Sequence, residues 1–387
     1  VKNFIILVLD GVGVGELPDA AKYKDSGSNT LGNLSIKLGG LSLPNLEKMG
    51  LGNIIPIKGV NRTEKPLASF GKMFEKSKGK DSTSGHWEIG GLIVDREFPL
   101  YPNGFPKEII DKFLLETGVK GILGNKPASG TEIIKELGEE HVKTGFPIVY
   151  TSGDSVFQIA AHEEIIPLER LYEICEVTRH KVMVGKDAVG RIIARPFIGK
   201  PGSFTRTTSR RDFSVDPFDN TILDVVSNAG IKTFGIGKIN DLFNNKGIQF
   251  ENHTRSNVEG IKEIIRVNKE NDSSLIFANL VDFDVYYGHR LDPPGFYKAL
   301  QEFDSYLPQI LECLDESDLL LITADHGNDP TSISTDHSRE YVPLLFYSKN
   351  VPARNLGTRE TFADVAQTVC HHFSINNSLA GSSFLQK

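Results

Sequence analysis

The sequence predicts an α/β protein: a mostly parallel sheet covered by helices on both faces and split in sequence by an inserted second α/β unit. Three observations carry this. Four short apolar runs are near-continuous rather than alternating, which suits strands buried on both faces. Helix-like stretches separate them. Three of the four runs end abruptly in acids, and the carboxyl ends of strands are where open α/β sheets gather their ligands.

In chain order, Phe4–Leu9 is too short for a signal peptide and runs into Asp10, so it reads as a buried strand. Residues 275–281 are apolar but for Asn279 and lead to Asp282 and Asp284. Residues 319–322 pass through Thr323 and Ala324 into Asp325 and His326, and residues 343–347 form the fourth run. Residues 221–229, 258–268, 294–314 and 361–373 read as helices, the last with Thr361 and Asp364 as a capped start. The middle of the chain differs. It holds strand signals at 146–150 and 191–194, a Lys126-Pro127-Ala128-Ser129-Gly130-Thr131 turn, and no convergent acid–histidine set. The expected division is a core of residues 1–98 and 215–387 with an inserted unit of residues 99–214. The return hinge is expected within residues 196–219.

A chain of 387 residues with 39% apolar and 24% charged residues has an ordinary globular balance, with length for one large domain or two. No apolar run approaches the roughly 18 residues of a membrane span. Cys175, Cys313 and Cys370 lie far apart with no CxxC pair, which predicts reduced thiols and a cytoplasmic protein. The net charge of −7 argues against nonspecific nucleic-acid binding. Residues 179–211 nevertheless carry nine Lys/Arg and one acid, Asp187. That island is either a solvated surface or a site for a small anion.

Asp10-Gly11-Val12-Gly13-Val14-Gly15-Glu16 is not a dinucleotide loop, because Glu16 stands where the fingerprint needs its third glycine. A carboxylate at a strand end beside a glycine turn suits a metal better. Asp284 and His289, the pair Asp325-His326, and His337 add carboxylate and imidazole ligands of the kind that hold Mn²⁺, Zn²⁺ or Fe²⁺. The remaining polar stretch is Gly79-Lys80-Asp81-Ser82-Thr83-Ser84-Gly85-His86-Trp87-Glu88. A hydroxyl there would need a divalent cation to attack phosphorus at neutral pH.

The order Asp10, Asp81-Ser82, Asp284/His289, Asp325-His326, His337 resembles that of the alkaline phosphatase superfamily. Within it, GKDSTSGHWE, NKPASGTE, VDFD…GHR, TADHGNDP and TDHSREYVPLL closely resemble the bacterial phosphopentomutase family, from Phe4 to the C-terminus. The resemblance implies a Rossmann-like core with an inserted cap, two Mn²⁺ ions and a phosphorylated hydroxyl. By position, Asp10, Asp325, His326 and Ser82 would hold one metal, and Asp284, His289 and His337 the other. Ser82 would be the nucleophile, in the place of the usual threonine, and Gly11 stands where the pattern carries serine. Arg191, Arg206 and Lys238 would meet the distal phosphate and Asp154 the sugar hydroxyls. The implied reaction moves phosphate between the 1- and 5-positions of ribose or deoxyribose through a sugar 1,5-bisphosphate, and a sugar bisphosphate would prime Ser82. Small sugar phosphates are the implied partners. A metal-dependent phosphatase or a cofactor-independent phosphoglycerate mutase would keep the same metals, whereas a non-catalytic metal- or sugar-binding protein would lack at least one ligand.

Overall fold

The computed structural model describes residues 3–152 and 155–385. Asp154, expected at the sugar hydroxyls, lies outside the described residues. The chain folds as two compact units, residues 1–96 with 217–387 (the core) and residues 97–216 (the inserted unit). The core begins with strands β1 (Phe4–Leu9) and β2 (Ser69–Met73). The inserted unit contributes β3 (Leu123–Pro127), β4 (Ile148–Thr151), β5 (Val156–His162), β6 (Arg191–Ile198), β7 (Thr205–Arg206) and β8 (Arg211–Ser214). The core resumes with β9 (Lys232–Ile236), β10 (Phe250–Asn252), β11 (Ser274–Leu280), β12 (Leu319–Thr323), β13 (Val342–Tyr347) and β14 (Asn355–Arg359).

The core sheet has the order β10-β9-β11-β1-β12-β13-β2-β14. The first five strands are parallel neighbours. Every residue of β1, β11 and β12 is buried, which explains their unbroken apolar runs: neither face meets water. The register pairs Leu9 with Leu280 and Val8 with Thr323, so β1, β11 and β12 end side by side and release Asp10, Asp284 and Asp325 at one edge.

Two local expectations are corrected. The run at 343–347 is a strand, but β13 lies antiparallel to both β12 and β2, since an apolar run reports burial and not direction. The C-terminal helix starts at Asp364 rather than on a Thr361 cap. Thr361 instead donates its hydroxyl to Glu88, and the Asp364 carboxylate is taken by Arg359.

In the inserted unit β5 alternates between two cores, as the two-residue period of a strand requires. Phe157, Ile159 and Ala161 pack with Phe105 and Phe113, and Ala160 faces Ile133, Ile148 and Phe197. The 15-residue helix Gly130–Thr144 is capped by Ser129, whose side chain accepts the Glu132 amide.

One buried ion pair steers the segment that leads to Ser82. Arg339, 2% exposed, donates to Glu75 Oε2 at 2.7 Å and to the carbonyls of Ser77 and Gly79 at 2.7 and 2.6 Å. It also meets Asp19 at 3.2 Å. Burial raises Glu75 well above the usual carboxylate range, and Arg339 opposes that shift. Removing one partner of such a pair leaves an uncompensated buried charge, at a cost of about 3–5 kcal/mol. Arg339→Met should therefore lower the midpoint of urea unfolding sharply, while the Arg339→Met/Glu75→Gln double variant recovers part of the loss. Strictly additive effects in that cycle would show that the pair does not act as a unit.

Candidate active site

Asp10, Asp284 and Asp325 are 0%, 2% and 0% exposed and face one another across the strand ends, so their charges must be answered locally. Burial and the neighbouring Asp325 raise Asp10 above the usual carboxylate range. Lys238 supplies one positive charge, its Nζ 3.0 Å from Asp10 Oδ2. Asp10 Oδ1 and Asp325 Oδ2 are buried without a hydrogen-bond partner. Gly11, at φ +78°, donates its amide to Asp325 Oδ1 at 3.1 Å. An added Cβ there would lie 3.0 Å from Asn328 Cβ, so both backbone and space favour glycine at this turn.

Three histidines are oriented in the same way. His289 Nδ1 donates to the Thr335 carbonyl at 2.7 Å, His337 Nδ1 to the Lys80 carbonyl at 2.9 Å, and His326 Nδ1 to the Gly327 carbonyl at 3.1 Å. A carbonyl only accepts, so each Nδ1 carries a proton and each Nε2 is turned inward. His326 Nε2 lies 3.5 Å from Asp10 Oδ1 and 3.2 Å from Asp325 Oδ2. His337 Nε2 lies 3.3 Å from Asp284 Oδ1, and His289 Nε2 lies 3.2 Å from Asp284 Oδ2. The two Nε2 atoms of His289 and His337 are 3.2 Å apart. Two Nε2 lone pairs cannot face each other at that distance, so either a proton or a cation lies between them.

Local structure explains the five-residue spacing of Asp284 and His289. A single wide π-helical turn, Phe283–Gly288, follows β11, and the His289 amide donates to the Asp284 carbonyl at 3.1 Å. That turn brings residues five apart onto one side. Asn328 Nδ2 also donates to Asp284 Oδ1 at 2.7 Å, a contact the sequence reading missed inside its own TADHGND motif.

Ser82 is the first residue of helix Ser82–Ile89, capped by Asp81. Its Oγ is 3.0 Å from His326 Nε2. Ser84 is buried and donates its hydroxyl to Asp81 at 2.8 Å. Residues Asp10, Asp325 and His326, and likewise Asp284, His326 and His337, each bring ligand atoms within 4.8 Å of one another.

The inserted unit holds a different kind of site. A cavity of ≈ 350 Å³ is lined by Ser129, Gly130, Gln158, Arg191, Arg195 and Arg210. A neighbouring one of ≈ 590 Å³ shares Arg195 and Arg210 and adds Arg206. The start of the Gly130–Thr144 helix supplies amide N–H groups, and a helix N-terminus with clustered arginines favours an anion. Tyr150 is fully buried, and its hydroxyl lacks a hydrogen-bond partner. A Cβ added at Gly130 would lie 2.7 Å from that hydroxyl. The sequence reading named Arg191 and Arg206 but missed Arg195, Arg210 and Tyr150. The basic island pointed to the arginines, whereas nothing in the sequence marked the tyrosine. Arg191 is 3.4 Å from Asp212, while Lys238 belongs to the core and sits on Asp10. His371 and His372 lie on the C-terminal helix outside the cluster, where His371 bonds Ser383 at 2.9 Å.

With this geometry in place, the comparisons fall on one family. Residues 2–377 match the metalloenzyme superfamily. The chain is 59% identical over 385 residues to a phosphopentomutase of Dictyoglomus thermophilum, covering 99% of this chain and 98% of that protein. It is 58% identical over 387 residues to a phosphopentomutase of Caldanaerobacter subterraneus subsp. tengcongensis, covering 100% of this chain and 98% of that protein. Among solved structures, a phosphoglycerate mutase of Leishmania mexicana superposes with a TM-score of 0.51 at 12% identity, covering 98% and 97% of the two chains, a likeness of fold. The expected α/β fold class stands, and the chain belongs to the phosphopentomutase family of metalloenzymes.

Proposed function

We propose that this enzyme interconverts ribose or deoxyribose 1-phosphate and the 5-phosphate through phospho-Ser82 and a sugar 1,5-bisphosphate, with two Mn²⁺ ions bound at the strand ends. The observation that carries this reading is the set of three inward Nε2 atoms facing three buried carboxylates beside the Ser82 hydroxyl. The orphaned oxygens of Asp10 and Asp325 fit a divalent cation, and mixed carboxylate–imidazole sets suit Mn²⁺. Asp10, Asp325, His326 and Ser82 would hold one ion, and Asp284, His289 and His337 the other. When bound, such a pair neutralises phosphoryl oxygens and favours the alkoxide of Ser82.

The residues divide the remaining work. Phospho-Ser82 gives its phosphoryl group to the free hydroxyl of the sugar monophosphate, forming the 1,5-bisphosphate, which reorients and returns its other phosphoryl group to Ser82 Oγ. In each transfer one P–O bond forms as another breaks: the attacking hydroxyl gives up its proton, and the departing oxygen, Ser82 Oγ in the first transfer and the sugar oxygen in the second, takes one up. The N-terminus of helix Ser82–Ile89 favours the phosphate's charge. Lys238, paired with Asp10, lies at the transferring end of the substrate. The distal phosphate goes to the arginine-lined cavity, where Arg191 and Arg206 are joined by Arg195 and Arg210. Asp154 is kept for the sugar hydroxyls. A priming sugar bisphosphate loads Ser82, and water must be excluded between transfers. A cytoplasmic location belongs to this reading, and three free cysteines support it. Among the described residues no helix is long and apolar enough to cross a membrane. The direct test is conversion of ribose 1-phosphate to ribose 5-phosphate with added Mn²⁺. Phosphoglycerate as the turned-over substrate, or free phosphate as the main product, would instead favour the related mutase or phosphatase activities.

Metal binding should be strongly pH-dependent. Burial pulls His326 down, but Asp325, Asp10 and Asp284 outweigh it and push its metal-free pKa up to about 10. A metal must therefore displace a proton at neutral pH, so affinity should rise with pH up to that value. Calorimetric titrations in buffers of different ionisation enthalpy should show net proton release at pH 7.5. A buffer-independent heat would contradict the assignment of His326.

Covalent phosphate should disappear in Ser82→Ala and persist in Ser84→Ala. Ser82→Thr should stay active, because a secondary hydroxyl in the same place can still coordinate a metal. Phosphopeptide mapping to Thr83 or Ser84 would move the nucleophile.

Arg191→Ala and Arg206→Ala should each raise the KM for ribose 5-phosphate and lower kcat, since orientation is lost with affinity. Both should also release more inorganic phosphate per isomerised sugar. Wild-type kinetics and leakage in both variants would reduce the basic cavity to a solvated surface.

A further inference from the structure

Two sequence features have no part in the reaction above: Asn279, the lone polar residue in the apolar run of β11, and His86, four residues past Ser82. In the folded chain they meet. Both are buried, at 1% and 0% exposure, and Asn279 Nδ2 donates to His86 Nε2 at 3.1 Å. The other ring nitrogen, Nδ1, lies 2.8 Å from the Ser82 carbonyl oxygen and 3.2 Å from Asp325 Oδ2. A carbonyl and an ionised carboxylate only accept, so Nδ1 carries the proton. It donates to Ser82, and Asp325 Oδ2 lies beside the same N–H, close enough for electrostatic attraction but outside hydrogen-bonding geometry. Phe277 stacks on the ring at 5.9 Å between centroids, which fixes its plane.

Helix Ser82–Ile89 is also docked closely on the end of β12. A Cβ added at Gly85 would lie 2.1 Å from the Asp325 carbonyl oxygen. The residue before His86 sets how near the helix can come, and His86 itself bridges the two groups whose separation matters: the residue bearing the attacking hydroxyl and a carboxylate of the metal cluster.

We infer that His86, held by Asn279, is a positioning residue that fixes Ser82 relative to Asp325 and thereby tunes the metal site formed by Asp10, Asp325 and His326. The inference rests on the two-metal, phosphoserine reading. Ligating carboxylates depend on the groups that orient them, and loss of such a partner weakens metal affinity by about 10–100-fold. A polar residue in the middle of a fully buried strand is costly, and on Asn279 the Nδ2 group is used on His86 while Oδ1 is buried without a partner. A histidine that merely filled the core would need neither the Asn279 contact nor an N–H aimed at the nucleophile's backbone.

The test is Mn²⁺ titration of the full chain by calorimetry and electron paramagnetic resonance, with circular dichroism and unfolding midpoints recorded on each variant. Wild type should bind two ions. His86→Leu should weaken one of them by about 10–100-fold and leave the other, held by Asp284, His289 and His337, unchanged. His86→Asn keeps an N–H where Nδ1 stands and should restore much of that affinity. His86→Gln, whose amide reaches toward the Nε2 position, should not. Asn279→Leu should weaken the same ion to a smaller degree, and it tests the inference even if His86→Leu fails to fold. The rate of Ser82 phosphorylation by a sugar bisphosphate should follow the same ranking. Two wild-type-affinity ions in folded His86→Leu and Asn279→Leu would overturn the inference, as would equal behaviour of the Asn and Gln variants. A wild-type protein that binds no Mn²⁺ would instead sink the two-metal reading on which it rests.

Discussion

The parallel pairing of β1 with β11 and β12 is the constraint on which the rest depends. Leu9 opposite Leu280 and Val8 opposite Thr323 bring three strand ends level, and the carboxylates that follow have no choice but to share one space. A slip of one residue in β1 would exchange its faces and carry Asp10 to the wrong side. The register is secured because both faces of these strands are buried, so a slip would have to break apolar packing along its whole length.

Three acids crowded together in a buried place oppose folding, and the chain surrounds them with groups that limit the penalty. Lys238 answers Asp10, Gly11 gives its amide to Asp325, and Asn328 gives its side chain to Asp284. The three histidines do something different. Each has its Nδ1–H tied to a backbone carbonyl, which fixes the tautomer and the ring plane and leaves the inner nitrogen as a donor of electrons. A protein built this way gains stability from any cation that binds the folded cluster in preference to the unfolded chain. The cost of assembling the site is thereby linked to its occupation.

The inserted unit solves the opposite electrostatic problem. There like positive charges gather: Arg195, Arg206 and Arg210 sit around one buried tyrosine, and burial with the nearby Arg210 lowers the pKa of Arg195. Mutual repulsion of guanidinium groups next to a helix N-terminus is relieved by an anion. The core is rich in acids at its strand ends and the inserted unit is rich in arginines around its cavities.

The sequence by itself determined the fold class, because burial on both faces writes itself as unbroken apolar runs. It also marked the candidate ligands, because acids and histidines stood at the ends of those runs. It marked Asn279 as an exception and the arginines as an island without saying what either was for. Direction was not legible: the run at 343–347 looks like its neighbours, yet β13 is reversed. Nor were the different surroundings of Ser82 and Ser84: the folded chain buries Ser84 against Asp81 and holds the Ser82 hydroxyl 3.0 Å from His326 Nε2. Tyr150, Asn328 and the Asn279–His86 contact were likewise decided only by folding. The physical reason is common to all of them. Periodicity and composition report how much of a segment meets water, whereas hydrogen bonds between residues hundreds of positions apart depend on where the backbone places each atom to within a fraction of an ångström.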